Sequence, residues 1–328
     1  MDKKYISVAI LIVCVISLIM GFVTPKKSSF EKVSTENPFA SVKDVAGDKI
    51  ALLNIEGVIS SDLQSNSWTS DFTTDAFLAS VDKVQKDGKV KAVIIRINSP
   101  GGTVAASQDI YDAILRLRKE KPVVASMADV AASGGYYTAS AADRIVAQKG
   151  TMTGSIGVIF NFVDVAGLAD KLGITSNVIK SGKFKDSGSM YRKMSSEEKE
   201  LFQKSVSDAY SQFVSAITDA RVNRTDNYAG EKRNLTGETL KKYADGRVFL
   251  GDEAYELGFV DKLGSLYDAQ ILASEMAGSK NVLPIVPYNR MNGLKSLLLG
   301  IEGKWANKFG NILPFSFTHN SRPLLIWE

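Results

Sequence analysis

The sequence predicts an α/β fold of parallel strands joined by helical crossovers, with one apolar helix ahead of it. Short β-branched runs such as VKAVIIRI (residues 90–97) alternate with amphipathic stretches such as DAFLASVDKVQKD (75–87) and QDIYDAILRLRKE (108–120). A parallel strand covered on both faces reads as a continuous apolar run, and helices between such runs supply the crossovers. The third observation is an uncharged run near the N-terminus that begins at Tyr5 and ends at Val23.

The elements follow in order. IALLNIEGVI (50–59) reads as a strand, 75–87 as a helix, 90–97 as a buried strand and 108–120 as a second helix. PVVASMAD (122–129) is a strand, and residues 135–142 form a short helix of mostly small side chains. Residues 145–147 and TGSIGVI (153–159) extend the alternation, ADKLG (169–173) ends a helix on a glycine, and TSNVIKS (175–181) reads as another strand. Residues 195–222 form a long helix. Ser195 and Glu198 have capping-box spacing, and Phe202, Val206, Ala209, Tyr210, Phe213 and Ile217 recur at helical spacing, a stripe for the core or a subunit contact. GETLKKYADGRVFLGDEAYELGFVDKLGS (237–265) closes the domain with helix, strand and helix.

The run from Tyr5 to Val23 is 19 residues long. A helix of that length spans roughly 28 Å, close to the hydrocarbon thickness of a bilayer. Lys3 and Lys4 precede it and Lys26 and Lys27 follow, so flanking charge does not decide its orientation. The exit GFVTPKK lacks the small-residue pattern of a signal-peptidase site, which favours an uncleaved anchor over a cleaved signal. Residues 1–23 are thus a stub and membrane anchor, 24–47 a polar tether, and 48–280 the folded domain. Residues 281–328 form an apolar, glycine-punctuated tail. That tail has three possible places: against the membrane, on a neighbouring subunit, or in the domain's own cleft.

Composition excludes several classes. Lysine plus arginine number 40 against 36 acidic residues, interspersed, so there is no basic stripe for nucleic acid. Cys14 is the single cysteine and lies inside the apolar run, so no intrachain disulfide forms. His319 is the single histidine, the tenth residue counted from the end, which leaves no multi-histidine zinc site and no convenient histidine base.

Two glycine turns follow buried strands. In INSPGGTV, Gly101 and Gly102 come directly after a strand, where free backbone N–H groups can face a negative charge. In DVAASGGYYTASAAD (129–143), Ser133 precedes Gly134 and a short helix. Together the turns can build an oxyanion hole from the Gly102 and Gly134 amides with Ser133 as nucleophile; alone, Ser133 reads as a helix N-cap. Without histidine the base falls to lysine. VIKSGKFKDSGS offers Lys180, Lys183 and Lys185, and spacing does not choose among them.

Five segments in this order, INSPGGTV, ASGGYYTASAAD, GTMTGSIGVI, IKSGKFKDSGS and GRVFLGDEAYELGFVDKLG, resemble the signal peptide peptidase A family of membrane-anchored Ser-Lys proteases. The resemblance spans about residues 48–278. It implies a Clp protease/crotonase-like superhelix of β-β-α units, Ser133 as nucleophile, Lys185 as general base, Ser155 as the serine that orients the lysine, and the SPGG turn as the oxyanion loop. It further implies no metal or other cofactor, released hydrophobic signal peptides as substrate, and a ring-shaped homo-oligomer with active sites composed between neighbours. The protein would be single-pass in the cell membrane with an extracytoplasmic catalytic domain. One difference stands out: the family commonly has a proline-bearing segment after its lysine, where this chain has SGSMYRKMS.

Two rival functions share the architecture. A crotonase-like acyl-CoA enzyme would use paired amides to hold an enolate and would not need Ser133. A non-catalytic membrane-tethered scaffold would bind peptides without turnover.

Overall fold

The computed structural model describes residues 47–61, 72–224 and 235–289, together with the backbone of 324–326. The anchor, nearly all of the tether, His319 and most of the C-terminal tail lie outside the described residues. Among the described residues, no helix is long and apolar enough to cross a membrane.

The domain is a mixed α/β structure built on an eight-stranded sheet. Its strands are β1 (Lys49–Glu56), β2 (Val90–Ser99), β4 (Val123–Ala132), β5 (Arg144–Ala147), β6 (Met152–Gly154), β7 (Val248–Leu250), β8 (Lys262–Leu263) and β9 (Ile285–Pro287). The spatial order is β7-β6-β4-β2-β1-β9, with β5 paired to the first half of β4 and β8 to β5. All pairings in this sheet are parallel except β6 with β7. The crossovers are α1 (Thr74–Lys86), α2 (Val104–Leu117) and α3 (Gly134–Ser140), followed by α4 (Ala166–Lys171), α5 (Ser196–Ile217), α6 (Gly237–Tyr243), α7 (Gly251–Glu256) and α8 (Leu266–Met276).

Strand alternation divides the core into two layers. Ala51, Leu53 and Ile55 of β1 and Val93, Ile95 and Ile97 of β2 face the layer formed by α1, α2, α3 and α5. Ile50, Leu52, Ala92 and Ile94 point to the other side, against Ala269, Leu272 and Ala273 of α8. The continuous apolar runs in the sequence therefore reflect a sheet covered on both faces.

The long helix has the expected start. Ser195 Oγ accepts from Glu198 N while Glu198 accepts from Ser195 N, a complete capping box. Its last turn widens into a π-helix, Thr218–Val222, which buries Arg221. There the Arg221 guanidinium donates two hydrogen bonds, 2.6 and 2.9 Å, to the Asp261 carboxylate, which also accepts from Ile145 N. This buried pair locks the end of α5 to the strand ends below the site.

Two sequence expectations differ from the structure. Residues 175–181, read as a strand, lie outside every ladder and are exposed along their whole length. β-branched composition favours extended backbone, but a strand needs a neighbour, and the described residues of one chain supply none there. Conversely β9, within the segment assigned to the tail, pairs with β1 through Ile50↔Ile285 to Leu52↔Pro287. Farther on, β10 (Leu324–Ile326) pairs antiparallel with the short strand β3 (Gly101–Thr103), so part of the tail's backbone lies on the domain itself.

Candidate active site

The parallel register sets the SPGG turn, Ser133 and Ser155 side by side at the carboxyl ends of β2, β4 and β6. Ser99 pairs with Ala131 and Ala132 with Gly154, so Ser133 and Ser155 leave adjacent strands at the same level. Open α/β sheets bind ligands at this edge because the turns there expose backbone amides. Ser133 N donates to Gly154 O at 2.9 Å, and Ser133 O accepts the first bond of α3 from Tyr137 N at 2.8 Å.

Among the described residues, two non-glycine residues have positive φ: Ser133 at 54° and Ser155 at 49°. Such a conformation is costly for a residue with a Cβ and persists where surrounding structure holds it, often at reactive sites. Ser133 holds the N-cap position of α3, yet its side chain makes no capping bond. Its hydroxyl is buried and has no hydrogen-bond partner. The N-cap reading is therefore wrong in its chemistry. Thr73, Ser195 and Thr236, by contrast, each accept a capping bond at their helix starts.

The SPGG turn is fixed from behind. Ser99 Oγ donates to Gly57 O at 2.6 Å and accepts from Gly101 N at 3.1 Å. Gly101 O accepts from Ile59 N, and Thr103 N donates to Ile59 O, each at 2.8 Å. By strand alternation Gly102 directs its own N–H and C=O to the opposite side, where β10 lies. A methyl on Gly102 would sit 1.8 Å from Ile59 O, and one on Gly134 would sit 2.5 Å from Ser107 Oγ and 3.1 Å from Gly102 N. Both glycines are thus demanded by close approach, and the two turns meet face to face.

Behind them, α3 is anchored by its two tyrosines. Tyr136 Oη donates to Phe259 O at 2.9 Å, and burial pushes its phenol well above the usual range, so it stays a donor. Tyr137 packs between Tyr111 and Phe213 in tilted contacts, with ring centroids 4.9 Å away on each side. The bulk in an otherwise small-residue segment is the helix's attachment to the core.

The three lysines separate clearly. Lys180 Nζ binds Asp186 at 2.6 Å and the Lys183 carbonyl at 3.1 Å. Lys183 pairs with Glu197 and lies over the Phe184 ring. Lys185 is exposed, and no hydrogen bond or ion pair engages its ammonium among the described residues. Arg192 holds the loop that carries it by binding both Asp186 and Glu198. This keeps both carboxyls well below the usual carboxylate range. Because the Ser133 hydroxyl is unpartnered, one chain brings Ser133, Ser155, Gly102 and Gly134 together and leaves Lys185 unbonded to Ser133. Ser107, which touches this cluster, was not singled out by sequence. Its only signal is a small hydroxyl residue five positions after Gly102, in the first turn of α2.

Comparison with known proteins fits this geometry. The model of peptidase family S49 matches residues 116–280, and that of Clp protease matches residues 60–153. A putative protease of Synechocystis is 40% identical over 70% of this chain and 75% of its own length. The chain belongs to peptidase family S49. This S49 chain is also 37% identical to a putative signal peptide peptidase SppA of Enterococcus faecium, over 85% of this chain and 77% of that protein. It is 31% identical to Protease 4 of Haemophilus influenzae, over 71% of this chain but only 35% of the longer relative. As a member of this family it is a serine protease, and the acyl-CoA and scaffold readings fall away.

Proposed function

We propose that this S49 peptidase is a membrane-anchored endopeptidase with a Ser133–Lys185 dyad that degrades released signal peptides. The observation that carries the reading is Ser133: buried, at positive φ, its hydroxyl without a partner, where two glycine turns meet. A hydroxyl held this way is committed to no structural bond. Neutral Lys185 takes the Ser133 proton, Ser133 Oγ attacks the peptide carbonyl, and the Gly102 and Gly134 amides hold the oxyanion. The lysine then protonates the departing amine, and water releases the acyl group. Ser155 orients the lysine amine.

Lys185 is supplied by a neighbouring copy of the chain. Its ammonium is uncommitted and faces solvent, and the segment around it exposes Leu168, Leu172, Ile174, Val178 and Ile179, an apolar arm suited to a homo-oligomeric contact. The uncharged run from Tyr5 to Val23, acting as a membrane anchor, would confine the enzyme, with its catalytic domain extracytoplasmic, to the phase in which signal peptides remain after cleavage.

The test is complementation. Ser133→Ala and Lys185→Ala chains are each expected to be inactive on a signal-peptide substrate. Unfolded together and reassembled, they are expected to regain activity through sites that combine an intact Ser133 with an intact Lys185. Activity in either single variant removes that residue from the dyad, and no recovery on mixing places both residues of each site in one chain.

A further inference from the structure

The hydroxyl of Ser107 stands out from the other helical hydroxyls. It lies in the first turn of α2, is fully buried, and has no hydrogen-bond partner. Buried serines and threonines within helices ordinarily donate to the carbonyl four residues back. Buried Ser80 and Ser274 do so at 2.7 and 2.8 Å, as do the less buried Ser207, Ser211 and Thr218 at 2.8 to 2.9 Å, and buried Thr138 and Ser140 donate three residues back at 2.9 and 2.7 Å. Ser107 leaves the carbonyl of Thr103 alone. Its Oγ lies instead against the α-carbon of Gly134, 2.5 Å from where a methyl there would stand, with Gly102 N 3.1 Å from the same point.

An unpaired buried hydroxyl is costly, and native structures rarely tolerate one without a use. Here two orphaned hydroxyls, Ser107 and Ser133, flank one glycine, Gly134. The second is the nucleophile of the proposed reaction. We infer that Ser107 is a third donor of the oxyanion site, acting with the Gly102 and Gly134 amides and gaining its partner only when the carbonyl oxygen becomes negatively charged. This inference rests on Ser133 being the nucleophile. A donor that is unpaired in the free enzyme and paired in the tetrahedral state favours that state over bound substrate, so it acts on kcat rather than KM.

The test compares Ser107→Ala, Ser107→Cys and Ser133→Ala in the full chain. Activity is measured on a fluorogenic peptide and affinity for a peptide aldehyde, whose carbonyl adds to the serine oxygen to give a tetrahedral adduct. For Ser107→Ala, kcat is expected to fall about 10- to 100-fold with KM changed less than about twofold. Aldehyde affinity should fall by a similar factor, with no loss of thermal stability. Ser107→Cys, which keeps the volume but donates weakly, should show the same kcat defect in smaller measure. Binding of uncleaved peptide to Ser133→Ala should be unaffected by adding Ser107→Ala. If Ser107→Ala keeps its kcat while Ser133→Ala is inactive, Ser107 is only a packing residue and the inference fails. It fails equally if Ser107→Ala loses stability while Ser107→Cys keeps full activity. Activity in Ser133→Ala overturns the underlying reading instead.

Discussion

Replacing Gly102 by alanine tests whether the SPGG turn is held in place for chemistry. The added methyl would lie 1.8 Å from Ile59 O, 2.5 Å from Ile59 C and 2.6 Å from Ile59 N. All three are backbone atoms, so no rotamer change relieves the clash. To restore ordinary contact, β3 and Ile59 must part by more than about 1 Å. That movement breaks the two 2.8 Å bonds that Ile59 makes to Gly101 O and Thr103 N. Two such bonds contribute about 1–3 kcal/mol together, and the residual overpacking adds about 1–3 kcal/mol. The urea midpoint should fall accordingly. The same displacement carries the Gly102 amide off the proposed oxyanion position, and misplacing or losing one such donor costs about 100- to 1,000-fold in kcat. Gly88→Ala is the control, since a methyl there meets nothing within 4 Å. The assay is steady-state peptide hydrolysis alongside urea denaturation. A Gly102→Ala enzyme with kcat within about threefold of the parent would refute the role of this amide.

Three further outcomes are expected. Arg221→Met strands the Asp261 carboxylate in the core, so chemical denaturation should show a loss of about 3–5 kcal/mol, much of it restored by pairing it with Asp261→Leu. For Asp186 and Glu198 the folded-state pKa is depressed by Arg192, so their stabilisation is complete above the ordinary carboxylate range and is lost as pH falls through the folded values. This cluster should therefore give the melting temperature a full, pH-independent contribution between pH 5 and 8 and a decline below about 4, with a smaller decline in Arg192→Gln. Removing residues 322–328 frees the β3 edge that β10 occupies and should lower KM for peptides that reach Gly102, as measured by steady-state kinetics.

The parts of this protein legible in its sequence are those set by local rules. β1, β2 and β4 announce themselves because burial on both faces demands unbroken apolar runs, and the Ser195/Glu198 capping box acts within one helical turn. The two glycine turns are equally visible, since close backbone approach admits no side chain. What is hidden depends on which distant segments meet. The extended 175–181 stretch has strand composition but no ladder, β9 is recognisable only once β1 is seen beside it, and Arg221 finds Asp261 across 40 residues of sequence. Ser107 resembles any helical serine until its missing bond to Thr103 is noticed. Resemblance singled out Lys185 where spacing had not, and the structure then separated it from Lys180 and Lys183 by their ion pairs.

The backbone of Ser133, at φ 54° and ψ −117°, carries a consequence for the choice of an inactive form. This conformation suits glycine, so every residue with a Cβ is held there at a cost of about 1–3 kcal/mol. Alanine removes the hydroxyl and keeps the strain; glycine removes both. The Ser133→Gly protein should therefore melt higher than either the parent or Ser133→Ala. With Ser133 as the proposed nucleophile, the reactive form of this chain is not its most stable form, and the difference is a thermodynamic record of what it takes to hold one serine ready for attack.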